Sequence, residues 1–220
     1  MSNAVPDDVR QILTTSLGVS RETIAQIERY VATLLQWQKA INLIGPATQD
    51  DIWRRHILDC AQAAPLFAQS DENILDMGSG GGLPGLVLAI ILQRQITLVE
   101  SDQRKATFLR EAARAAACPV RVHAQRIERF EQDGFDVVTA RALAPLDRLL
   151  GWAMPKLRNG GRIIAFKGRS WAEELTAAQE KWHIQVQTQS SITAHDAKIL
   201  IIHPQDHRRT NDQPAISGDH

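Results

Sequence analysis

A glycine-rich segment near the middle of the chain has the residue types best suited to binding a small charged molecule. It reads Asp-Met-Gly-Ser-Gly-Gly-Gly-Leu-Pro-Gly over residues 76–85 and lies between two apolar stretches, 73–76 and 86–92. Glycines permit positive φ and let the backbone approach a ligand without an obstructing Cβ. A helix that begins after such a loop also directs its first N–H groups at the ligand. The spacing therefore predicts a nucleotide-type binding loop between a strand and a helix.

Two acids and the strand order separate this loop from the similar loop of dinucleotide-binding enzymes. Asp76 precedes the first glycine, where a carboxylate can meet a ligand's ammonium directly or through water. Glu100 ends the next predicted strand, where a carboxylate can accept two ribose hydroxyls. These features favour S-adenosylmethionine, and a structural glycine turn or a nicotinamide or flavin site is the alternative. The predicted cofactor contacts around the loop are Asp76, Gly78, Ser79, Gly80, Gly82, Leu83 and Glu100.

Strands and helices alternate from about residue 73 onward, which predicts a mostly parallel sheet with helices on both faces. The predicted strands are residues 73–76, 96–100, 120–124, 135–140, 162–166, 184–189 and 198–203. No helical pattern separates the last two strands, so we expect a terminal antiparallel hairpin and no second mononucleotide-binding half. The fold class is α/β, a Rossmann-like class I methyltransferase fold with a seven-stranded sheet. In such sheets the ligand binds at the carboxyl ends of the strands.

The residues before the sheet read as helical. Ser20 is a predicted N-cap, and apolar residues then recur at three-to-four spacing until Gly45-Pro46, which we expect to stop the helix. A second helical stretch covers residues 50–67. We therefore expect an N-terminal helical extension over 1–70, a cofactor-binding domain over 71–204 and a polar, disordered tail over 205–220.

Composition narrows the remaining possibilities. The chain has 220 residues, with 25 Lys and Arg against 25 Asp and Glu, so its overall charge does not point to nucleic acid. Its two cysteines, Cys60 and Cys118, lack metal-ligand spacing and suggest buried thiols in a reducing compartment. No membrane span and no secretory signal are evident. We expect a cytoplasmic monomer without a metal site.

The sequence after the fourth predicted strand bears on the reaction. It reads Thr-Ala-Arg-Ala at 139–142, whereas enzymes that methylate exocyclic amines carry Asn/Asp-Pro-Pro-Tyr there. A substrate atom with its own lone pair fits better, because it needs in-line positioning and no base. Arg141 and Lys167 could orient polar groups, although a surface ion pair is the alternative for Arg141. Ile127 and Glu128 follow the third strand, where an adenine is commonly contacted, although Glu128 could also be a solvated acid.

The chain resembles the bacterial small-subunit ribosomal RNA 7-methylguanosine methyltransferases, the glucose-inhibited division protein B family. The resemblance spans residues 35–203 and is carried by these motifs: 37–43, Arg-His-Ile-Leu-Asp at 55–59, the loop at 76–85, Phe135-Asp136, 140–142 and Lys167-Gly168. It implies methyl transfer from S-adenosylmethionine to N7 of a guanosine in 16S rRNA, within the 30S subunit. Guanine N7 is an unprotonated acceptor, which agrees with the lone-pair argument. The departures are Gly81, Cys60 and residues 196–199, where Lys198 replaces the family's usual Arg.

The resemblance also implies site residues. Cofactor contacts fall on Gly78, Leu83, Ile127, Glu128 and Arg141. The substrate RNA is expected to contact Arg55, His56, Asp59, Lys167 and Lys198, and we take Arg141, Lys167 and His56 as the catalytic candidates. His56 and Asp59 could instead lock the two domains together, and Arg55 and Lys167 could be solvated surface residues. A methyltransferase of another RNA or of a small molecule, or a non-catalytic cofactor-binding module, is the alternative function.

Overall fold

A seven-stranded sheet forms the centre of the molecule in the computed structural model, which describes residues 4–205. The strands are β1 Ile74–Met77, β2 Ile96–Glu100, β3 Val120–Ala124, β4 Phe135–Arg141, β5 Leu157–Lys167, β6 Ile184–Ser190 and β7 Lys198–Pro204. Their order across the sheet is β3-β2-β1-β4-β5-β7-β6. Strands β1 to β5 pair in parallel, and β7 pairs antiparallel with both β5 and β6. The predicted α/β class, strand number and terminal hairpin are confirmed.

The strand order changes direction between β1 and β4, so the loops after these strands diverge to opposite faces. Such a point leaves a crevice at the carboxyl edge of the sheet. The loops at 78–84 and 142–145 leave the sheet there. The topology therefore brings the glycine loop and the residues after Arg141 to one cleft.

Helices cover both faces of the sheet and bury two apolar layers. The α-helices are α1 Asp7–Gln11, α2 Arg21–Gln38, α3 Asp59–Ala61, α4 Gly85–Leu92, α5 Gln103–Ala115, α6 Leu146–Ala153 and α7 Trp171–Gln179. One core joins the N-terminal elements with α4 and α5, and the other joins α6 with the opposite sheet face. In β1, Ile74 enters the first core while Leu75 and Met77 enter the second, as the alternation of strand side chains requires.

The N-terminal region is helical but differs in detail from the prediction. Ser20 caps α2 by accepting a hydrogen bond from the Thr23 amide at 3.1 Å. That helix ends at Gln38, earlier than the predicted stop at Gly45-Pro46, because the Gln38 side chain binds the backbone of Leu43 and Ile44 and turns the chain back. The region also contains short helical segments. The 3₁₀ turns are Pro46–Thr48 and Ala64–Leu66, and the π-helical segments are Ile12–Ser16, before α2, and Trp53–Leu58, after it.

The predicted boundaries within the sheet domain hold closely, with two exceptions. Proline is favoured at the first position of a helix, which predicts that position for Pro84, but α4 begins at Gly85, so Pro84 precedes the helix. Strand β5 begins at Leu157, before the predicted start at residue 162, because residues 159–161 are absorbed as a shift of register against β4. Gly160, with φ +75°, adopts the conformation that this irregularity requires.

Two further expectations concern the ends of the chain and membranes. The predicted tail lies almost wholly in residues 206–220, outside the described residues. None of the helices within residues 4–205 has the length and apolar character needed to cross a membrane.

Candidate active site

Three adjoining cavities lie along the carboxyl edge of the sheet. The glycine-loop cavity, of about 420 Å³, is lined mainly by residues 43–45, 78–81, Glu100 and 141–143. The lateral cavity, of about 240 Å³, is lined mainly by Gly78, residues 125–128 and 143–145. The distal cavity, of about 430 Å³, is lined mainly by Arg55, Asp59 and residues 141–145, 166–168 and 197–199. Leu143 contributes to all three, so they form one branched cleft around that side chain.

Gly78 requires the absence of a side chain. Its φ is +69°, and a Cβ built there would lie 2.4 Å from Cδ1 of Leu143. Its amide donates to the carbonyl of Val99 at 2.8 Å, which ties the loop to the end of β2. The glycine therefore lets the loop pass close beneath Leu143, at the junction of the glycine-loop and lateral cavities.

Glu100 closes the glycine-loop cavity from the neighbouring strand. Its side chain is buried, with Oε2 accepting from the Gly80 amide and Oε1 accepting from the Asp102 amide, each at 2.8 Å. These bonds fix the carboxylate at the mouth of the cavity, and each oxygen retains acceptor capacity for a ligand hydroxyl. The carboxylate therefore has a fixed position at the cavity, and its contact with ribose hydroxyls stays a prediction.

Asp76 lies beneath the glycine loop. Its carboxylate is fully buried, accepts from the Thr139 hydroxyl at 2.9 Å and from the Gly85 amide at 3.3 Å, and does not line the glycine-loop cavity. Burial raises the pKa of Asp76 to about 6, against the opposing effect of hydrogen bonds from Ser79, Thr139 and Gly85. In this geometry Asp76 supports the loop from below, and any effect on a ligand's ammonium acts through space or through water.

The remaining loop residues divide between lining and support. Ser79, Gly80 and Leu83 line the glycine-loop cavity, but Gly82 does not. With φ +84° and a built Cβ only 2.5 Å from Leu86, Gly82 instead allows the chain to enter α4. In the lateral cavity, Ile127 contributes a buried side chain and Glu128 an exposed one.

Tyr30 supports the loop from the N-terminal helices and was missed by the sequence reasoning. Its fully buried hydroxyl donates to the carbonyl of Gly81 at 2.6 Å. A Cβ on Gly81 would lie 3.1 Å from the Leu43 carbonyl oxygen, so the N-terminal segment also packs closely on the loop. In the sequence, Tyr30 is indistinguishable from the other buried residues of the α2 stripe. Nothing in the sequence indicates which group its hydroxyl contacts.

Arg141 joins the N-terminal helices to the cleft. Its guanidinium donates to the Arg55 carbonyl at 3.0 Å, forms an ion pair with Asp59 at 3.3 Å and donates to the Cys60 sulfur at 3.4 Å. Burial raises the pKa of the Cys60 thiol to about 12, so the sulfur stays protonated. Arg141 lines both the glycine-loop and the distal cavities, so it is a structural junction as well as part of the cleft wall.

His56 continues from Arg141 into a chain of hydrogen bonds. Nδ1 of His56 lies 2.9 Å from the Arg141 guanidinium, Nε2 lies 2.7 Å from the Thr48 hydroxyl, and that hydroxyl lies 2.8 Å from the Gly45 carbonyl. Burial, together with the nearby charges of Arg141 and Arg55, lowers the pKa of His56 to about 4. The neutral imidazole therefore links Arg141 to the segment that walls the glycine-loop cavity, and it does not bond directly to Asp59.

Lys167 positions the wall between the glycine-loop and distal cavities. Its ammonium, buried at the end of β5, donates to the Ala144 carbonyl at 2.7 Å and to Glu174 at 2.8 Å. The same Glu174 oxygen accepts from the Leu146 amide at 2.8 Å. Ala142, at the start of this wall, has φ +52°, a conformation that side-chain-bearing residues rarely adopt. Glu174 was not predicted, since a lone helix-face acid carries no sequence signal.

The other predicted substrate residues surround the distal cavity. Arg55, Asp59, Lys167 and Lys198 all line it, while His56 lines only the glycine-loop cavity. Asp59 accepts from Thr193 at 2.8 Å, which ties the start of α3 to the turn before β7. Lys198 donates to Ser190 at 2.7 Å and lies 5.7 Å from the ring of Trp171. The structure thus brings four of the five predicted substrate residues to one cavity.

Some of the basic residues between β2 and β4 line the cleft, and others do not. Lys105 lines the glycine-loop cavity and Arg126 the lateral cavity, whereas Arg110, Arg114, Arg121 and Arg129 line none of the three. Of these residues, Lys105 and Arg126 therefore add positive charge to the cleft. Within residues 4–205 no group of three or more His, Cys, Asp or Glu side chains is arranged to hold a metal ion.

The chain matches one protein-family model and is similar to named proteins over most of its length. The family model described as "rRNA small subunit methyltransferase G" matches residues 23–203. A protein of Paramagnetospirillum magneticum named "Ribosomal RNA small subunit methyltransferase G" is 48% identical, covering 92% of this chain and 98% of its own. A protein of the same name from Granulibacter bethesdensis is 47% identical, covering 88% of this chain and 91% of its own.

Solved structures of low sequence identity share the fold. A ribosomal protein L11 methylase of Lactobacillus delbrueckii superimposes with a TM-score of 0.59 at 13% identity, over 74% of this chain and 81% of its own. An O-methyltransferase of Bacillus cereus, in complex with SAH, gives 0.57 at 17% identity, over 89% and 96%. These likenesses support the Rossmann-like assignment of the sheet domain.

Proposed function

The chain belongs to the family described as rRNA small subunit methyltransferase G, and we infer that it is an S-adenosylmethionine-dependent enzyme that methylates N7 of a guanosine in 16S ribosomal RNA. The observation that carries the site assignment is the contact between the glycine-loop and distal cavities across residues 141–143. A methyl donor in the glycine-loop cavity and a guanine base in the distal cavity would meet at this wall.

The residues of the glycine-loop and lateral cavities suit S-adenosylmethionine. Gly78 leaves the space that a Cβ would fill, and Glu100 presents a fixed carboxylate for the ribose hydroxyls. Ile127 and Glu128, on the lateral cavity, are placed to contact the adenine. When bound, the cofactor supplies an electrophilic methyl group on a sulfonium sulfur. The branched cleft thus offers separate places for the two ends of the donor.

The distal cavity suits a guanine. N7 of guanine needs no deprotonation before it attacks a methyl group, so the enzyme has to orient the base and exclude water. Lys167 and Arg141 present fixed cationic groups on this cavity, and guanine O6 and N7 are both acceptors. An arginine side chain does not give up its proton in proteins, and the Lys167 ammonium is held by Ala144 and Glu174, so these residues act by orientation and electrostatics.

The roles of the other predicted residues follow from their positions. Arg55 and Lys198 line the distal cavity and can contact RNA phosphate or base edges. Asp59 and His56 hold Arg141, and we assign them to positioning. We further propose that the enzyme acts in the cytoplasm, as a monomer, on 16S rRNA within the 30S subunit. The three cavities are formed within one chain, which supports action as a monomer.

Identification of the methylated nucleoside tests this proposal. The protein is incubated with labelled S-adenosylmethionine and, separately, 30S subunits, naked 16S rRNA, total tRNA and a metabolite extract. The RNA is then digested, and the labelled nucleoside is identified by chromatography and mass spectrometry. We expect 7-methylguanosine from 16S rRNA, with more label on the 30S subunit than on naked RNA. Label on another nucleoside or only on metabolites, or cofactor binding without transfer, would each replace this function with one of the alternatives.

A further inference from the structure

A fourth polar cavity opens from the distal cavity along the turn between β6 and β7. This rim groove, of about 550 Å³, is lined by Arg55, Arg169 and residues 191–196. Arg55, Ser191, Thr193 and Ala194 line both the rim groove and the distal cavity. The two are therefore continuous, and a polymer whose base occupied the distal cavity could extend through the rim groove.

Ile192 projects into solvent at this groove. Its exposed fraction is 56%, and no other large apolar residue within 4–205 is exposed. The exposure does not reflect a loose turn, because the Ile192 amide donates to Gln62 Oε1 at 2.9 Å. The turn is anchored on both sides of Ile192, since the hydroxyls of Ser191 and Thr193 bind Asp59 at 3.4 and 2.8 Å. The fold thus holds an apolar side chain outward at a fixed place.

Two arginines flank this side chain. Arg55 is exposed, and its guanidinium forms no hydrogen bond or ion pair with any residue within 4–205. Arg169 is 89% exposed and forms a single ion pair with Asp196 at 3.0 Å. Exposed pairs of this kind contribute little to stability, so the Arg169 guanidinium is available to a phosphate.

We propose that the rim groove binds the nucleotide next to the methylated guanosine, with Ile192 against its base and Arg55 and Arg169 against the flanking phosphates. This rests on the proposed function. Guanine N7 is inaccessible in the deep major groove of paired RNA, so the target must lie in an unpaired or opened segment whose bases are exposed. Apolar side chains, isoleucine among them, occupy the space beside unstacked bases in nucleic-acid complexes. An enzyme that draws one base into a cavity needs such support for its neighbour.

Three variants test the groove: Ile192→Ser, Arg169→Gln and, as a matched control, Arg114→Gln. Arg114 is an exposed arginine in the last turn of α5, at the end of that helix remote from the carboxyl edge of the sheet. Binding of unmethylated 16S rRNA transcript and of 30S subunits is measured by filter retention over a range of salt concentrations, and methylation of both substrates is measured with labelled S-adenosylmethionine. S-adenosylmethionine affinity is measured by calorimetry and folding by thermal unfolding.

We expect Ile192→Ser to weaken RNA binding about 5- to 10-fold, in line with the loss of one base contact. Arg169→Gln should reduce the slope of log K against log salt by about 0.7, the effect of one phosphate contact on single-stranded RNA. Cofactor affinity and melting temperature should match those of the wild type in all three variants, and Arg114→Gln should bind RNA normally.

RNA binding and methylation unchanged in both groove variants, while the wild type methylates 16S rRNA, would overturn the groove assignment alone. Losses seen only on 30S subunits, with the naked transcript unaffected, would also overturn it and assign the groove to a ribosomal protein. A wild type that fails to methylate either substrate would instead reject the proposed function.

Discussion

The guanidinium of Arg141 lies 2.9 Å from Nδ1 of His56, and this contact determines which imidazole nitrogen carries the proton. Arginine can only donate, so Nδ1 is the acceptor and the proton sits on Nε2. Nε2 then donates to the Thr48 hydroxyl, which donates onward to the Gly45 carbonyl. A residue at the substrate side of the cleft is thereby connected, through three directed hydrogen bonds, to the wall of the glycine-loop cavity.

Removing the Thr48 hydroxyl should weaken cofactor binding. Thr48→Val keeps the shape but leaves the Nε2–H of His56 unpaired, at a cost of about 1–3 kcal/mol, and it removes one of the two hydrogen bonds that the Gly45 carbonyl accepts from Thr48. We expect a higher Kd for S-adenosylmethionine, measured by calorimetry, and a lower melting temperature. Thr48→Ser retains the hydroxyl and serves as the control, so wild-type affinity in Thr48→Val, or equal losses in both variants, would argue against the relay.

His56 should make the fold sensitive to acid. Its pKa is lowered from 6.5 to about 4 in the folded protein, so the unfolded chain binds a proton at higher pH than the folded one does. The stabilising effect of the neutral ring is complete above pH 6.5 and is lost as the pH falls toward 4, a change of up to about 3 kcal/mol. Urea unfolding at several pH values should show this loss in the wild type.

His56→Gln provides the comparison, because glutamine can accept from Arg141 and donate to Thr48 without titrating. Its free energy of unfolding should fall less between pH 6.5 and 4 than that of the wild type. Parallel curves for the two proteins would mean that another group causes the acid sensitivity.

Arg141→Ala should lower stability as well as activity. The substitution leaves Asp59 without its cationic partner in a largely buried site, at about 3 kcal/mol or more. A double-mutant cycle with Asp59→Asn separates the effects. We expect the double variant to be more stable than the sum of the single losses predicts, while methylation stays absent. Strict additivity would show that the ion pair does not contribute to stability.

The sequence predicted the sheet domain well because its signals are local. Each of these signals, namely the strand periodicity, the glycines of the loop and the acid at the end of β2, depends on only a few neighbouring residues. Gly78 and Glu100 line the same cavity in the structure. Contacts between distant segments left no such signal. Tyr30 and Glu174 act on loops 51 and 28 residues away in the chain, so their roles could not be read from spacing.

Asp76 illustrates the same limit. The sequence predicts that this acid meets the ligand's ammonium directly or through water, but it does not reveal the hydrogen bonds that the carboxylate accepts from Thr139 in the neighbouring strand and from the Gly85 amide. Pairing of β1 with β4 places Asp76 beside Thr139, and that pairing is set by the tertiary structure.

Gly78→Ala should abolish cofactor binding through Leu143. The new Cβ would lie 2.4 Å from Cδ1 of Leu143, at a positive φ, and Leu143 would have to move from the junction of all three cavities. Gly134→Ala is a matched control, because Gly134 has φ +82° but no atom within 4 Å of a built Cβ. The positive φ alone should cost each variant about 1–2 kcal/mol of stability, and the clash with Leu143 should add to that loss in Gly78→Ala. Only Gly78→Ala should lose S-adenosylmethionine binding in calorimetry, and normal binding there would contradict the proposed location of the donor.

Asp76→Asn should separate the support role of this residue from its charge. Asparagine can accept from the Gly85 amide through its oxygen and donate to the Thr139 hydroxyl, which can turn toward the Leu75 carbonyl 3.4 Å away. The pKa of Asp76 is raised from 3.8 to about 6, so the stabilising effect of the protonated form is present below pH 3.8 and lost as the pH rises through 6. At pH 7.5 the neutral amide should therefore be at least as stable as the wild type, by up to about 3 kcal/mol.

The same variant should bind S-adenosylmethionine less tightly, because the buried negative charge beneath the loop attracts the cationic ligand. Thermal unfolding and calorimetry at pH 7.5 measure the two effects on one protein. Thr139→Val is the control, since it removes a hydrogen bond to Asp76 but keeps the carboxyl group. A stable Asp76→Asn variant with unchanged cofactor affinity would restrict Asp76 to holding the loop, whereas a strongly destabilised variant would show that the carboxylate itself is needed to form it.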